Sequence, residues 1–273
     1  MKNNKLSNRY ALATFYSLLY IVLSGFSASI LADEAVGLTT REDVTQRILW
    51  MPREGATASV ILFPGGGGRI KITDDGDIKI GNNFLVHTRD QFADQQLNVA
   101  LFDAPSDHYT KKGMKIDNFR ASSEHAEDIS AVIDYIKKQT TVPVWLVGTS
   151  RGTESAANAA IRLADKIDGL VLTSSVTEEN RKGVSLPEMQ LNEIKVPTLI
   201  VHHEEDACRV TTPEGAMIIK DALTNASKVE LKYFSGGDEP ISKPCKAKSA
   251  HGYLGIENKV VNYIADFIKT NSK

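Results

Sequence analysis

The sequence predicts an α/β fold built on a mostly parallel sheet of about seven or eight strands, with helices on both faces. The first observation is that short apolar, β-branched runs alternate with helical patterns along most of the 273 residues. The second is a buried-strand pattern from residue 142 that ends in a glycine-flanked turn and continues into an alanine-rich helical pattern. The third is a composition of 42% hydrophobic and 24% charged residues, which is typical of a soluble globular protein.

Strand and helix patterns follow one another from residue 47 to residue 269. Continuous apolar runs predict strands that are buried on both faces, and a 3.6-residue apolar period predicts helices. The predicted strands cover residues 47–52, 58–63, 98–102, a run that begins at residue 142, 169–173, 196–202 and 229–234. The predicted helices cover residues 84–95, a segment that begins at Ser122 or Ser123, 151–164, 213–223 and 257–269. Residues 70–73 and 77–80 alternate around a turn and predict a hairpin.

The first 32 residues are typical of a secretory signal peptide. Basic residues precede an apolar run over residues 10–30, and a small residue, Ala32, stands before a polar stretch. We expect cleavage after Ala32, with Ala28 as the second choice, and a single mature domain of residues 33–273. The alternative is an uncleaved membrane anchor, because the run is close to the length that spans a bilayer. After cleavage the protein is expected to be periplasmic or secreted, without stable membrane association.

A nucleophilic serine is predicted in the turn Gly148-Thr149-Ser150-Arg151-Gly152, which fits the pattern G-x-S-x-G. Strand, sharp turn and helix are the context in which this motif carries a nucleophile. The turn is tight, so the neighbours of the serine must be small, and it places the Ser150 hydroxyl at a helix N-terminus that favours negative charge. A chain of this length contains the pattern by accident roughly one time in ten, so an acid, a base and an oxyanion hole must support it.

An acid and a base follow the serine in chain order. A serine hydroxyl needs a base within hydrogen-bond reach, and the base needs an orienting carboxylate. Asp206 follows the strand of residues 196–202 and is the predicted acid, with Glu204 and Glu205 as competitors. Only His251, among six histidines, follows the last strand and precedes the closing helix, so it is the predicted base. The other histidines are His87, His108, His125, His202 and His203.

Two backbone N–H groups are predicted to form the oxyanion hole that stabilises a tetrahedral intermediate. One belongs to Arg151, directly after the serine. The other is expected from Gly66, with Gly67 as the alternative, because four consecutive glycines at residues 65–68 indicate a close backbone approach. Phosphate binding is disfavoured because the Gly-Lys-Ser/Thr ending of a P-loop is absent. The side chains of Arg151 and Arg69 are either attractants for an anionic substrate or ordinary surface charges.

The two cysteines, Cys208 and Cys245, are predicted to form a disulfide. An even pair in an exported chain is most simply a bridge, and two unrelated buried thiols are the alternative. Cys208 lies two residues after Asp206, and Cys245 lies six residues before His251. A bridge would therefore tie the loop of the acid to the loop of the base and hold the two side chains in position.

Together these residues resemble the α/β-hydrolase superfamily over residues 47–269, and most closely its compact, exported esterases and dienelactone-hydrolase-like proteins. The resemblance implies an open sheet with Ser150, Asp206 and His251 at its edge. Only about 22 residues are available where a lid would usually sit, so we expect little or no lid. Three features depart from the family. Pro64 stands where many members carry histidine, Arg151 occupies a variable position, and the nucleophile is serine where dienelactone hydrolases use cysteine.

The expected function is hydrolysis of small-molecule carboxylic esters with short or soluble acyl groups, through an acyl-enzyme on Ser150. A peptidase or amidase, an acyltransferase and a non-catalytic binding module are the alternatives, although a complete triad argues against the last. The expected reaction implies no metal or organic cofactor. The acidic turn at residues 74–77 lacks the spacing of a calcium loop. The formal charge of −2 at pH 7 indicates no nucleic-acid partner. The oligomeric state stays open.

Overall fold

The computed structural model describes residues 31–115, 118–180 and 183–272. The expected signal peptide, residues 1–32, lies outside these ranges except for its last two residues. The described chain forms one eight-stranded sheet with helices on both faces, which confirms the predicted fold class. Within these ranges no helix combines the length and the apolar character needed to cross a bilayer.

The sheet is parallel except at one edge. Its strands are β1 (Glu34–Arg41), β2 (Val44–Met51), β3 (Ala58–Phe63), β4 (Leu97–Phe102), β5 (Val144–Thr149), β6 (Gly169–Thr173), β7 (Thr198–His203) and β8 (Val229–Phe234). They lie in the order β1-β2-β4-β3-β5-β6-β7-β8. The pairings of β2 with β1 and with β4 are antiparallel, and the other five are parallel. The loops that follow the parallel strands therefore meet along one edge of the sheet, where α/β folds bind ligands.

Six α-helices cover the sheet. They are α1 (Phe84–His87), α2 (Arg89–Asp94), α3 (Ser123–Gln139), α4 (Gly152–Arg162), α5 (Gly215–Ala222) and α6 (Glu257–Asn271), counted over the described residues. Buried side chains of α1, α2 and α6 pack on one face, and those of α3, α4 and α5 pack on the other. Ser122 begins α3 as its N-cap, because its hydroxyl accepts a hydrogen bond of 3.1 Å from the His125 N–H group.

The central strands show why the sequence pattern was readable. Every residue of β3 is buried, and its side chains alternate between the two layers. Val60 and Leu62 belong to one apolar cluster, whereas Ile61 and Phe63 belong to the other. Successive side chains of a strand point to opposite faces. When helices cover both faces, the strand must be apolar at every position, which produces a continuous run.

The structure adds one strand and divides one predicted helix. The edge strand β1 was not predicted, since four of its eight residues are polar or charged and none is fully buried. The predicted helix over residues 84–95 is two short helices that meet at Thr88, whose buried hydroxyl donates a 2.7 Å hydrogen bond to the Phe84 carbonyl. The predicted hairpin at residues 70–80 is present as a short antiparallel pairing: the Ile80 N–H donates to the Ile70 carbonyl at 3.0 Å, and Ile72 and Ile78 form an antiparallel bridge.

The segment between β6 and β7 contains two 3₁₀ turns, Leu186–Glu188 and Leu191–Glu193, and no α-helix among its described residues. Leu186, Leu191 and Ile194 belong to the apolar cluster of the α3, α4 and α5 layer. The segment therefore packs on the body of the protein, and the expectation of little or no lid is confirmed.

Gly169 gives a test of the packing at the start of β6. A Cβ atom at this position would lie 2.2–2.4 Å from three ring atoms of the buried Trp145. We expect Gly169→Ala to lower the free energy of unfolding by about 1–3 kcal/mol, because the core is already full. Urea denaturation measures the change. Gly81→Ala is the control, since nothing lies within 4 Å of a Cβ there, and equal stability of the two variants would contradict this packing.

Candidate active site

Ser150 lies at the sharp turn between β5 and α4. Its backbone φ is +51°, in the left-handed region that costs a non-glycine residue about 1–2 kcal/mol. A Cβ on Gly148 would lie 2.5 Å from the Gly152 carbonyl oxygen, and one on Gly152 would lie 1.9 Å from the Phe63 carbonyl oxygen. Both flanking glycines are therefore required by close backbone contacts, as the sequence motif indicated.

Hydrogen bonds on both sides hold the backbone of Ser150. Its N–H group donates to the Thr173 carbonyl of β6 at 3.0 Å. Its carbonyl accepts from the Thr153 N–H at 2.9 Å and from the Thr153 hydroxyl at 2.6 Å. These bonds offset the backbone strain, so the serine is fixed between the sheet and the first turn of α4.

Asp206 and His251 form a direct contact. His251 Nδ1 lies 2.8 Å from Asp206 Oδ2, and both residues are buried. An ionised carboxylate only accepts hydrogen bonds, so Nδ1 carries the proton and Nε2 of the neutral ring is left as an acceptor. The competitors Glu204 and Glu205 are both exposed, and the contact with His251 is made by Asp206.

Two further donors orient the Asp206 carboxylate. The Thr211 hydroxyl donates to Oδ2 at 2.9 Å, and the Cys208 N–H donates to Oδ1 at 2.9 Å. The sequence analysis missed Thr211, since only the fold brings it beside the carboxylate. With both oxygens bonded, the carboxylate has one orientation in which to meet the imidazole.

The remaining histidines have other environments. His125 is buried, and its Nε2 lies 2.8 Å from the Ser155 hydroxyl. Burial and the nearby Arg120 charge hold its pKa well below the usual value. His203 Nε2 lies 2.9 Å from the Gly236 carbonyl, and burial lowers the pKa of His202. His87 is partly exposed on α1.

The glycine loop after β3 lies against the nucleophile. A Cβ on Gly65 would lie 2.9 Å from the Ser150 Cβ, and Gly66 has a φ of +63°. The Gly67 carbonyl accepts a 2.9 Å hydrogen bond from the Met114 N–H. Gly66 and Arg151 line the same cleft as Ser150, and Gly67 lines an adjoining one with Ser150. The backbones expected to supply the oxyanion hole are thus beside the serine.

The fully buried Arg120 forms hydrogen bonds to this loop. Arg120 donates to the Pro64 carbonyl at 2.9 Å, to the Gly66 carbonyl at 3.4 Å and to the Ser155 hydroxyl at 2.6 Å. Burial lowers its pKa to about 10, so the guanidinium stays charged at neutral pH. No local sequence pattern indicated this contact, because Arg120 is 54 residues from the loop that it contacts.

The Arg151 side chain is held by its own helix. Its Nη1 lies 2.7 Å from Glu154 Oε1, and its Nη2 contacts Asn180. Arg69 lies over the Tyr109 ring, with its Cζ 5.8 Å from the ring centroid. The Arg151 side chain therefore has a buried structural partner. The Arg69 side chain lies on an aromatic ring beside the glycine loop.

The predicted disulfide between Cys208 and Cys245 is present, and it joins the loops after β7 and β8. Asp206, Cys208 and His251 place ligand-type atoms within 4.8 Å of one another. The Cys208 sulfur is in the disulfide and is no thiolate, and His251 Nδ1 is engaged with Asp206. The donor chemistry of this group therefore does not match that of a zinc site.

Ser150 lies at the junction of two clefts. The larger has a volume of about 780 Å³, within the usual range for small-molecule sites, and the smaller has about 180 Å³. Both are lined by Gly66, Ser150, Cys245 and Lys246, and His251 lines the smaller one. The serine and the imidazole thus share one cavity that is open to small ligands.

In sequence, the chain matches no protein-family model and no curated protein. In structure, it is similar to an esterase from Pyrococcus furiosus at 14% identity and a TM-score of 0.63, over 88% of this chain and 93% of that one. A lidless α/β serine hydrolase from Xanthomonas campestris matches at 13% identity and 0.58, over 87% and 94%. A dienelactone hydrolase from Anabaena variabilis matches at 15% identity and 0.58, over 89% and 99%. The chain therefore has the α/β-hydrolase fold, as the sequence resemblance indicated.

Glu154 gives a test of the electrostatics beside the site. Burial raises its pKa to about 7 despite the Arg151 contact, from 4.5 when unperturbed. Between pH 4.5 and 7 the folded protein then binds more protons than the unfolded chain, so stability falls as pH rises. We expect Glu154→Gln to remove a decline on the order of 2 kcal/mol in this range, measured by urea denaturation at several pH values. The exposed Glu127→Gln is the control, and a wild-type slope in Glu154→Gln would contradict the raised pKa.

Proposed function

We propose that the protein is an exported serine hydrolase that cleaves carboxylic esters through Ser150, His251 and Asp206. The observation that carries the proposal is the buried 2.8 Å contact between His251 Nδ1 and Asp206 Oδ2, next to a cleft that both His251 and Ser150 line. The fold shared with known esterases supports the reaction class. These similarities concern the fold, and the proposed residue roles are argued from the contacts within this chain.

In the proposed mechanism each of the three residues has one role. His251 Nε2 takes the proton of the Ser150 hydroxyl as Oγ attacks the acyl carbon of the ester. Asp206 keeps the imidazole in the tautomer with Nδ1 protonated and stabilises the imidazolium that forms. His251 then gives the proton to the leaving alcohol, which leaves an acyl-enzyme on Ser150. Water, deprotonated by the same imidazole, releases the acid and restores the serine.

The negative charge of the tetrahedral intermediate needs fixed donors. In this proposal the N–H groups of Arg151 and Gly66 supply them, with Gly67 as the alternative to Gly66. Arg151 is the N-cap of α4, so the helix dipole adds to the stabilisation. Each such donor is typically worth about 100-fold to 1000-fold in kcat. Arg120 acts indirectly, since its bonds to the Pro64 and Gly66 carbonyls hold the loop in position.

The shape of the clefts supports short or soluble acyl groups. Buried apolar residues of the segment between β6 and β7 face the core, and the cleft that Ser150 shares with His251 has a volume of about 180 Å³. A compact acyl group fits a cleft of this size. Small-molecule esters with short or soluble acyl groups are therefore the proposed substrates.

The triad is tested by hydrolysis of p-nitrophenyl esters from acetate to palmitate. We expect activity on the short chains, and we expect Ser150→Ala to lower kcat/KM by about 10⁴-fold to 10⁶-fold because the nucleophile is lost. Asp206→Asn should cost about 10⁴-fold, since the imidazole loses its orienting partner. Labelling of Ser150 with a fluorophosphonate gives a second measurement that does not depend on the choice of ester.

The exposed Ser227→Ala is the matched control and should keep wild-type activity. If Ser150→Ala hydrolyses the short esters as fast as the wild type, the assigned nucleophile is wrong. If the wild type is inactive on esters but cleaves peptide amides, the ester assignment is wrong and the amidase alternative replaces it.

We also propose that the protein is exported with removal of residues 1–32. The basic start and apolar run of the sequence support this, and the Cys208–Cys245 disulfide is compatible with an oxidising compartment. The intact mass of the protein recovered from a periplasmic fraction and from the medium is the test. We expect the mass of residues 33–273 minus two hydrogens for the disulfide. Recovery of the full-length chain in the membrane fraction would support the anchor alternative instead.

A further inference from the structure

The larger cleft at Ser150 has an unusual concentration of positive charge. Its described lining residues include four basic side chains and one acidic side chain: Lys115, Arg151, Arg209, Lys246 and Glu179. The chain as a whole carries a formal charge of −2, so the positive wall is a local feature. A concave surface lined mainly by one sign of charge focuses its field and concentrates ligands of the opposite sign.

Two of these cations stand next to the disulfide. Arg209 follows Cys208, and Lys246 follows Cys245. The two cysteine Cα atoms are 4.7 Å apart, so the bridge joins the two loops that carry these cations, and both residues line the same cleft. An anion bound in the cleft would be attracted by both charges.

Several basic residues of the described chain are neutralised by carboxylate partners. Examples are the ion pairs of Arg41 with Asp128, Arg53 with Asp33 and Lys166 with Asp134. Arg209 and Lys246 are exposed at the cleft, and neither forms an ion pair with any carboxylate of residues 31–115, 118–180 or 183–272. Their charges remain available to a ligand that reaches Ser150.

We propose that Arg209 and Lys246 form a specificity site for an anionic group, a carboxylate or a phosphate, on the ester that Ser150 cleaves. This inference rests on the proposed function and adds the substrate class. Arg209 offers a planar pair of N–H donors suited to two oxygens of an anion, and Lys246 offers a mobile point charge. In this proposal the N–H groups of the glycine loop and of Arg151 stabilise the negative charge on the oxygen of the tetrahedral intermediate, and the two cations bind a second negative charge elsewhere in the substrate.

The test compares matched anionic and neutral esters. In the first pair, mono-p-nitrophenyl adipate has a free carboxylate on its acyl part, and its methyl ester is the neutral analogue. In the second pair, 4-acetoxybenzoate has the carboxylate on its alcohol part, and its methyl ester is the neutral analogue. The wild type should favour the anionic member of at least one pair by about tenfold or more in kcat/KM, as expected for hydrogen bonds to a charged group. The double variant Arg209→Gln, Lys246→Gln should lose this preference. Raising the salt concentration to about 0.5 M should reduce it in the wild type.

Two single variants test whether charge is required and whether its location matters. Arg209→Lys retains the charge and should keep most of the preference. Lys138→Gln removes an exposed charge near the end of α3, outside the residues that line the cleft, and should keep all of it. The inference is overturned if the wild type treats both members of each pair equally, or if the double variant keeps the wild-type preference. Hydrolysis of the neutral esters would in either case leave the proposed function standing.

A binding measurement keeps the two proposals apart if no ester is cleaved. Isothermal titration calorimetry of the wild type with adipate and with inorganic phosphate should show binding, and the affinity should fall about tenfold in the double variant. The ligand that binds more tightly identifies whether the site prefers a carboxylate or a phosphate. Binding of either anion without ester hydrolysis would support the anion site and reject the proposed reaction. Absence of binding together with absence of any anionic preference would reject the anion site.

Discussion

The close approach of Gly152 to the Phe63 carbonyl is the contact on which the rest of the site depends. A methyl group on Gly152 would lie 1.9 Å from that oxygen, so α4 can begin under the end of β3 only because position 152 has no side chain. Ser150, with its left-handed backbone, stands two positions before Gly152. The glycine loop after β3 also lies against the serine, since a Cβ on Gly65 would lie 2.9 Å from the Ser150 Cβ. The proposed nucleophile and the proposed oxyanion hole thus both lie where α4 begins against the end of β3.

Buried charge supports this arrangement from inside the protein. Arg120 is fully buried and directs its guanidinium at the carbonyls of the glycine loop and at Ser155. Glu154 and Arg151 form a second buried pair one turn along α4. Removing a charge from water is costly, and burial accordingly lowers the pKa of Arg120 and raises that of Glu154. The bonds of Arg120 hold the glycine loop, whose residues 65–68 have no side chains to pack.

The Cys208–Cys245 disulfide is close both to the Asp206–His251 contact and to the proposed anion site. On one side, the Cys208 N–H bonds to the Asp206 carboxylate, and Cys245 lies on the loop that leads to His251. The cross-link therefore restricts the separation of the proposed acid and the proposed base, where small displacements would reduce the rate. On the other side, it joins the loops that carry Arg209 and Lys246, which both line the larger cleft. The contact between Asp206 and His251 and the proposed substrate site thus depend on the same pair of cross-linked loops.

The amino-acid pattern was enough to predict the sheet, the motif at Ser150 and the chain order of the proposed acid and base. A strand covered on both faces is mainly apolar, a tight turn needs glycines, and Asp206 and His251 each follow a strand whose end lies at the ligand-binding edge. The folded structure was needed to show which carboxylate meets His251, the contacts of Thr211 and Arg120, and the common cleft of Arg209 and Lys246. These depend on contacts between residues that lie far apart in the chain or on which way a loop turns. Local periodicity carries no information about such contacts, because they form only when the strands are in register and the loops are closed.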